Sequence, residues 1–103
     1  MQPKGILITG NGQLGNAYRE YFLSRGILVV NTDSSTDIRD EVAMKKIVVE
    51  VNPDIIIHTA AKTNIDWCEQ NKTECFQINM LGTDVIGKIC QEKNIYLVHI
   101  SSG

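Results

Sequence analysis

Short, continuously apolar runs alternate along this chain with segments whose apolar residues recur at helical spacing. The runs span residues 5–9, 27–31, 55–60 and 95–100, and Asp37 and Ile38 form a candidate short strand between the second and the third. Strands that are apolar throughout, rather than at every second position, are typical of a parallel sheet covered by helices on both faces. The pattern therefore predicts a Rossmann-like, doubly wound α/β fold of five strands in the order 3-2-1-4-5.

Local signals place the helices between these runs. A first helix should begin near Gly12 and close at Gly26, where a left-handed cap is common. Asp40 has the position of an N-cap for a second helix, which Pro53 ends. We expect residues 62–73 to form a loop at first, followed by a longer helix that leads into the last strand.

Composition limits the classes of function. The chain has 103 residues, of which 43% are hydrophobic and 21% charged, as in one ordinary globular domain. The net charge of -2 comes from interspersed acids and bases, so nucleic acid is not an expected partner. No apolar run reaches the roughly 18 residues of a membrane span, and the start lacks the apolar core of a signal peptide. We expect a soluble, cytoplasmic protein.

Cysteines and histidines give no pattern of a metal site. An odd count of three cysteines, Cys68, Cys75 and Cys90, without a signal peptide indicates reduced thiols. Their spacing fits no zinc motif, and His58 and His99 each lie in an apolar run. We therefore expect buried or half-buried thiols and imidazoles, and no bound metal.

The most informative motif follows the first apolar run. It is the G-x-G-x-x-G sequence Gly10-Asn11-Gly12-Gln13-Leu14-Gly15, placed between a predicted strand and a predicted helix. In a dinucleotide site Gly10 allows the tight turn, Gly12 lets the backbone approach a pyrophosphate, and Gly15 lets the helix pack on the sheet. The first helical N–H groups, near Gln13 and Leu14, then face the anion. A turn that only connects strand and helix is the alternative interpretation.

Acidic residues after the second run bear on the choice of nucleotide. Asp33 lies 18 residues after Gly15, where a carboxylate can accept both ribose hydroxyls and repel a 2′-phosphate. This favours NAD over NADP, although the hydroxyls of residues 34–36 would suit a 2′-phosphate and Asp33 could equally be a solvated loop acid. Asp37 is placed to accept the adenine amino group, or to serve as a turn residue or N-cap before the second helix.

These and further motifs resemble the dTDP-4-dehydrorhamnose reductase family of extended short-chain dehydrogenases/reductases over essentially the whole chain. The matching pieces are Ile6-Leu7-Ile8-Thr9-Gly10 with Gly12-Gln13-Leu14-Gly15, Asp37-Ile38-Arg39-Asp40, Asn52 to Thr63 followed by Asp66 and Glu69, Asn79-Met80-Leu81-Gly82-Thr83, and Val98 to Ser102. The resemblance implies an NAD(P)H-dependent oxidoreductase that reduces the 4-keto group of a nucleotide-linked deoxysugar in dTDP-rhamnose biosynthesis.

The resemblance also assigns residues to the site. It implies that the cofactor is bound by Gly10, Asn11, Gly12, Gln13, Leu14, Gly15, Asp33, Asp37, Ile38, Ala60, Ala61, Lys62 and Thr63. Gly12, Gln13 and Leu14 would hold the pyrophosphate, and Asp37 and Ile38 would lie by the adenine. Asn79 would support the loops around the cofactor, and Ser102 would hydrogen-bond the reacting oxygen.

Two departures from the family pattern affect the expected activity. The glycine loop is one residue shorter than the usual G-x-x-G-x-x-G, and neither the catalytic Tyr-x-x-x-Lys nor the sugar-nucleotide region occurs within residues 1–103. Tyr18 and Tyr21 are expected on the packing side of the first helix, and Tyr96 has no lysine four residues later. We expect a partial cofactor site without turnover.

Other functions remain compatible with the sequence. A sugar-nucleotide epimerase or dehydratase shares the cofactor half, and a non-catalytic NAD(P)-binding regulatory subunit would have the same motifs. An exposed edge on the last strand would also favour self-association.

Overall fold

The computed structural model describes residues 3–10, 12–33, 35–59 and 65–100, except the side chains of residues 65–67. Strands and helices alternate along these ranges, as the apolar runs predict. They are β1 (Gly5–Thr9), α1 (Gln13–Leu23), β2 (Leu28–Asn31), α2 (Glu41–Val51), β3 (Ile55–His58), α3 (Ile65–Gln70), α4 (Lys72–Lys93) and β4 (Tyr96–His99).

The four strands form one parallel sheet in the order β2-β1-β3-β4. This confirms the Rossmann-like α/β class, but the prediction of a strand at Asp37 and Ile38 is wrong. Asp40 N donates to Asp37 O over 2.9 Å, which closes a turn at this point. The Ile38 side chain is only 5% exposed because it enters the core as a single residue, so its hydrophobicity does not mark a strand.

The two faces of the sheet bury different sets of side chains. Alternate residues of β1 point to opposite faces, so Leu7 packs with α2 and α4 while Ile6 and Ile8 pack with α1. The larger core joins Leu7, Ile38, Met44, Val48, Ile56, Ile86, Ile89 and Cys90. On the other face Ile6, Ile8, Ile27, Val29 and Ile57 meet the half-buried Tyr18 and Phe22 of α1. Both faces are therefore covered, as a doubly wound sheet requires.

Helix boundaries follow the local signals closely. Asp40 caps α2 by accepting a hydrogen bond from Ala43 N over 3.1 Å. Asn52 ends the same helix in the left-handed conformation, at φ 51°, immediately before Pro53. Gly26 has φ 77° and closes the turn after α1, as predicted. These short-range interactions explain why the sequence identifies the ends of both helices.

Two expectations fail between β3 and α4. Residues 65–70 form the short helix α3, so the predicted loop does not extend through them. Cys68 and Cys75 are joined in a disulfide across the α3–α4 turn, with Cα atoms 5.4 Å apart, so the prediction of reduced thiols is wrong for this pair. The odd count leaves Cys90, which is a free, buried thiol.

Within the described ranges, no helix combines the length and apolar character needed to cross a membrane.

Candidate functional site

The direction of chain winding reverses at β1. From β1 the chain passes to β2 on one side, whereas β3 pairs with β1 on the other side. In open parallel sheets, ligands bind beyond the carboxyl ends of the strands at this reversal. The glycine loop after β1 and residues 32 and 33 after β2 both lie at that edge.

Two residues at the end of β2 hold the start of the glycine loop. Gly10 has φ 111°, and its N–H donates to Thr32 Oγ1 over 3.0 Å. Its carbonyl accepts from Asn31 Nδ2 over 2.8 Å. A Cβ on Gly15 would lie 2.5 Å from that same carbonyl oxygen, so only glycine lets α1 approach so closely. Gly10 and Gly15 therefore have the roles that the motif predicts. The contacts of Asn31 and Thr32 were missed because no sequence spacing reports them.

Gly12 is different, because neither its backbone nor its neighbours require a glycine. Its φ of -73° and ψ of -168° are open to any residue, and an added Cβ would meet nothing within 4 Å. The space beside it lies at the N-terminus of α1, where the first N–H groups have no partner within a helix. The first turn of α1 carries no acidic side chain. This arrangement fits an anionic group such as a diphosphate.

Asp33 places a negative charge at the same edge. It is exposed, two residues after β2, and its Oδ1 accepts from Ser35 N over 2.8 Å and from the Ser35 hydroxyl. The hydrogen bond from the Ser35 side chain, and then the one from its backbone, lower the pKa of Asp33. The carboxylate is therefore ionised at neutral pH, beside the Thr32 that binds Gly10.

Asp37 and Ile38 are held by other parts of the chain. The Asp37 carboxylate accepts from Arg39 N over 2.9 Å and pairs with the Arg39 guanidinium, with Oδ2 2.9 Å from Nη2. The hydrogen bond between the Arg39 guanidinium and the Asp37 carboxylate raises the pKa of Arg39. The Ile38 side chain packs against Gly82 of α4 and therefore faces the core. Only the backbone of Ile38 is left to contact an adenine.

His58 ties the ends of β1 and β3 to α4. Its Nδ1 lies 2.7 Å from Thr9 Oγ1 and its Nε2 lies 3.1 Å from Thr83 Oγ1. Because the Thr83 hydroxyl donates to Asn79 O over 2.7 Å, it accepts from His58, which places the imidazole proton on Nε2. The Thr9 hydroxyl then donates to Nδ1. The ring is neutral in this network.

The environment of His58 supports that state. Burial, and then the positive charge that His99 can carry, lower the pKa of His58 to about 4. The two imidazoles are stacked, with ring centroids 5.0 Å apart. His58 is buried as expected, whereas the expectation that His99 is buried or half-buried is wrong, since His99 is exposed at the end of β4.

The remaining predicted residues are only partly placed. Asn79 is half-buried on α4. Its backbone carbonyl accepts a hydrogen bond from the Thr83 hydroxyl, and its side-chain Nδ2 lies 3.7 Å from Cys75 Sγ. Asn11, Ala60, Ala61, Lys62, Thr63 and Ser102 lie outside the described residues, and their roles stay predictions.

Comparisons with known proteins agree with these features. A family model described as "RmlD substrate binding domain" matches residues 4–103. A dTDP-4-dehydrorhamnose reductase from Mycolicibacterium smegmatis is 32% identical over 99 residues, which cover 94% of this chain and 30% of that protein. This chain thus spans about a third of the length of such relatives.

Solved structures show the same fold. The dTDP-4-dehydrorhamnose reductase from Bacillus anthracis, in complex with NADP, superposes with a TM-score of 0.85 at 31% identity, over 98% of this chain and 37% of that one. A UDP-glucose 4-epimerase from Thermotoga maritima also reaches 0.85, over 96% and 38%, but at 19% identity it shows the fold alone. By the family match and these identities, the chain belongs to the dTDP-4-dehydrorhamnose reductase family.

Proposed function

We propose that this chain is the NAD(P)-binding part of a sugar-nucleotide 4-keto reductase. The observation that carries the proposal is Gly12, a glycine that neither backbone conformation nor packing requires, beside open space at a helix N-terminus. A residue without Cβ at such a place leaves room for a ligand. The related Bacillus anthracis reductase in complex with NADP supports a dinucleotide as that ligand.

The residues of this chain would bind and orient the dinucleotide. The amides of Gln13 and Leu14 would donate to the diphosphate, supported by the positive end of the α1 dipole. The fixed position of Gly10 between Asn31 and Thr32 would keep these amides in place. When bound, a reduced nicotinamide supplies the hydride for the keto carbon.

The substrate side of the proposal depends on Ser102 and on the relatives. Ser102 would donate a hydrogen bond to the keto oxygen and so hold the carbonyl for reduction. Reductases of this name act on a dTDP-linked sugar, and the Mycolicibacterium smegmatis relative supports the same class of substrate here. A general acid contributes about 10²–10⁴-fold to such a step, and the family's Tyr-x-x-x-Lys does not occur within residues 1–103, so we assign to these residues the binding of the cofactor and not the general acid.

For the nucleotide we propose a preference for NAD(H). The ionised Asp33 carboxylate would accept the ribose hydroxyls and repel a 2′-phosphate. The Bacillus anthracis relative was solved in complex with NADP, so the proposed preference for NAD(H) rests on Asp33 alone.

The test of the proposal is Gly12→Val, with Gly87→Ala as the matched control. A Cβ at either glycine meets nothing within 4 Å, so neither variant should disrupt the fold, and Gly87→Ala should be somewhat more stable because alanine favours helices. Only the side chain at position 12 would fill the diphosphate space. We expect Gly12→Val to weaken the binding of NADH and NADPH at least about 100-fold, because the diphosphate would lose about two hydrogen bonds to backbone amides. Gly87→Ala should bind both coenzymes as tightly as the parent chain.

Calorimetric titration of the folded variants measures this difference. Unchanged affinity in Gly12→Val, or equal loss in both variants, would show that the space beside Gly12 does not hold the dinucleotide.

We also propose that β4 mediates self-association. Among the described residues β4 pairs only with β3, and Tyr96 on its surface is 69% exposed. An edge of this kind can pair with a second copy of the chain. Light scattering at rising concentration should show a dimer, and a monomer at all concentrations would contradict the proposal.

A further inference from the structure

Two cysteines link the helices that follow β3. Cys68 of α3 and Cys75 in the first turns of α4 are seven residues apart, and their Cα atoms lie 5.4 Å from each other. That distance lies within the range that a disulfide spans without backbone movement. Cys68 is half-buried and Cys75 is buried, so Cys68 is the more accessible of the two to small reagents. The proposed reductase function makes no use of this pair.

A path of polar contacts leads from this pair to the candidate site. Cys75 Sγ lies 3.7 Å from Nδ2 of Asn79, one turn further along α4. The backbone carbonyl of Asn79 accepts a hydrogen bond from the Thr83 hydroxyl over 2.7 Å, and the same hydroxyl contacts His58 Nε2. His58 binds Thr9, the residue that precedes the glycine loop. The disulfide therefore ties α4 to α3 about two turns before the contact through which α4 supports the ends of β1 and β3.

We propose that Cys68 and Cys75 are a reversible thiol–disulfide couple, and that its oxidised form holds α4 in the arrangement that binds the dinucleotide. The coupling to binding rests on the proposed function, whereas the couple itself does not. The oxidant is a low-molecular-weight disulfide. The Cys68 thiolate attacks one of its sulfurs and releases one small thiol, and Cys75 then attacks the mixed disulfide and releases the second. Two electrons pass to the reagent, and the two protein thiols lose their protons.

The experiment uses the 103-residue chain in buffers of reduced and oxidised glutathione. Acid quench, denaturation and alkylation followed by intact mass should show three alkylated thiols at the reducing end and only that of Cys90 at the oxidising end. Titration with NADPH should give affinity about fivefold weaker in the reduced chain, within the usual range of coupling between sites. Cys68→Ser should bind like the reduced chain in every buffer, and Cys90→Ala, which removes the unpaired thiol, should keep the redox dependence.

A second measurement is independent of the dinucleotide. Lys72 is exposed and lies between the two cysteines, so trypsin cleavage after Lys72 reports how firmly α3 and α4 are held. We expect faster cleavage in the reduced chain and in Cys68→Ser. Equal affinity and equal cleavage in both redox states would overturn the inference and leave the proposed function standing. Loss of NADPH binding in both states, with cleavage still redox-dependent, would instead refute the proposed function.

Discussion

Three glycines in one short loop differ in what the fold demands of them. Gly10 has a positive φ of 111°, Gly15 lies under the Gly10 carbonyl, and Gly12 has ordinary dihedral angles beside open space. The first two explain how the chain folds, and only the third indicates a ligand. A glycine motif therefore becomes evidence for function at the position where the fold itself would accept a side chain.

Asp33→Asn tests the choice of nucleotide at the residue scale. The amide has nearly the same shape but no charge, so it binds ribose hydroxyls less strongly and no longer repels a 2′-phosphate. We expect the ratio of NADH to NADPH affinity to fall by about tenfold, one charge-assisted hydrogen bond. Glu50→Gln, on the exposed end of α2, removes a charge away from the site and should leave the ratio unchanged.

Competitive titrations of both variants with the two coenzymes measure that ratio. An unaltered ratio in Asp33→Asn would identify Asp33 as a solvated loop acid, and the preference would then have to be determined elsewhere.

At the scale of elements, α4 approaches the turn between β2 and α2 so closely that one side chain fills the gap. A Cβ on Gly82 would lie 2.2 Å from Ile38 Cδ1 and 2.4 Å from its Cγ1. Ile38 therefore packs as a single side chain against α4, whereas the sequence had predicted that it would belong to a strand of the sheet. The same contact positions the backbone of residues 37 and 38 beside α4.

Gly82→Ala should destabilise the fold even though alanine favours helices. Displacing the buried Ile38 costs about 1–3 kcal/mol, as overpacking of a core does. The gain from helix propensity, about 1 kcal/mol, offsets part of this cost. Gly87→Ala lies on the same helix with no atom near its Cβ, so it should show the gain alone.

Urea denaturation of the two variants separates packing from propensity. Equal free energies of unfolding for Gly82→Ala and Gly87→Ala would mean that α4 and Ile38 are not in close contact in solution.

At the scale of the whole molecule, His58 joins both halves of the sheet to α4, so its protonation should affect global stability. Burial lowers the pKa of His58 in the folded state from its usual 6.5 to about 4. Between these values the unfolded chain binds more protons than the folded chain, so stability falls as pH decreases. The loss should begin near pH 6.5, continue to about pH 4 and amount to at most about 3 kcal/mol.

His58→Asn should be less stable at neutral pH but should lose most of this pH dependence. His99→Gln should retain most of it, because burial is the larger cause of the lowered pKa. Free energies of unfolding measured from pH 4 to pH 7 test both statements. A parallel fall in the parent chain and in His58→Asn would assign the acid sensitivity to other groups.

Local patterns in the amino-acid sequence predict the parts of this protein that depend on neighbours along the chain. Apolar runs marked all four strands, and Asp40, Pro53 and Gly26 marked helix ends, because caps and periodicity act over a few residues. The glycine loop was predictable for the same reason. Continuous rather than alternating hydrophobicity also indicated that the sheet is parallel and covered on both faces.

Contacts between distant segments become visible only in the assembled fold. Thr9 and His58 are 49 residues apart, and Asn31 is 21 residues from the Gly10 carbonyl that it holds. The core position of Ile38 and the Cys68–Cys75 disulfide likewise depend on where whole helices pack. Such contacts form because close packing of complementary side chains stabilises the assembled fold. The spacing of residues along the chain does not predict which side chains will be complementary.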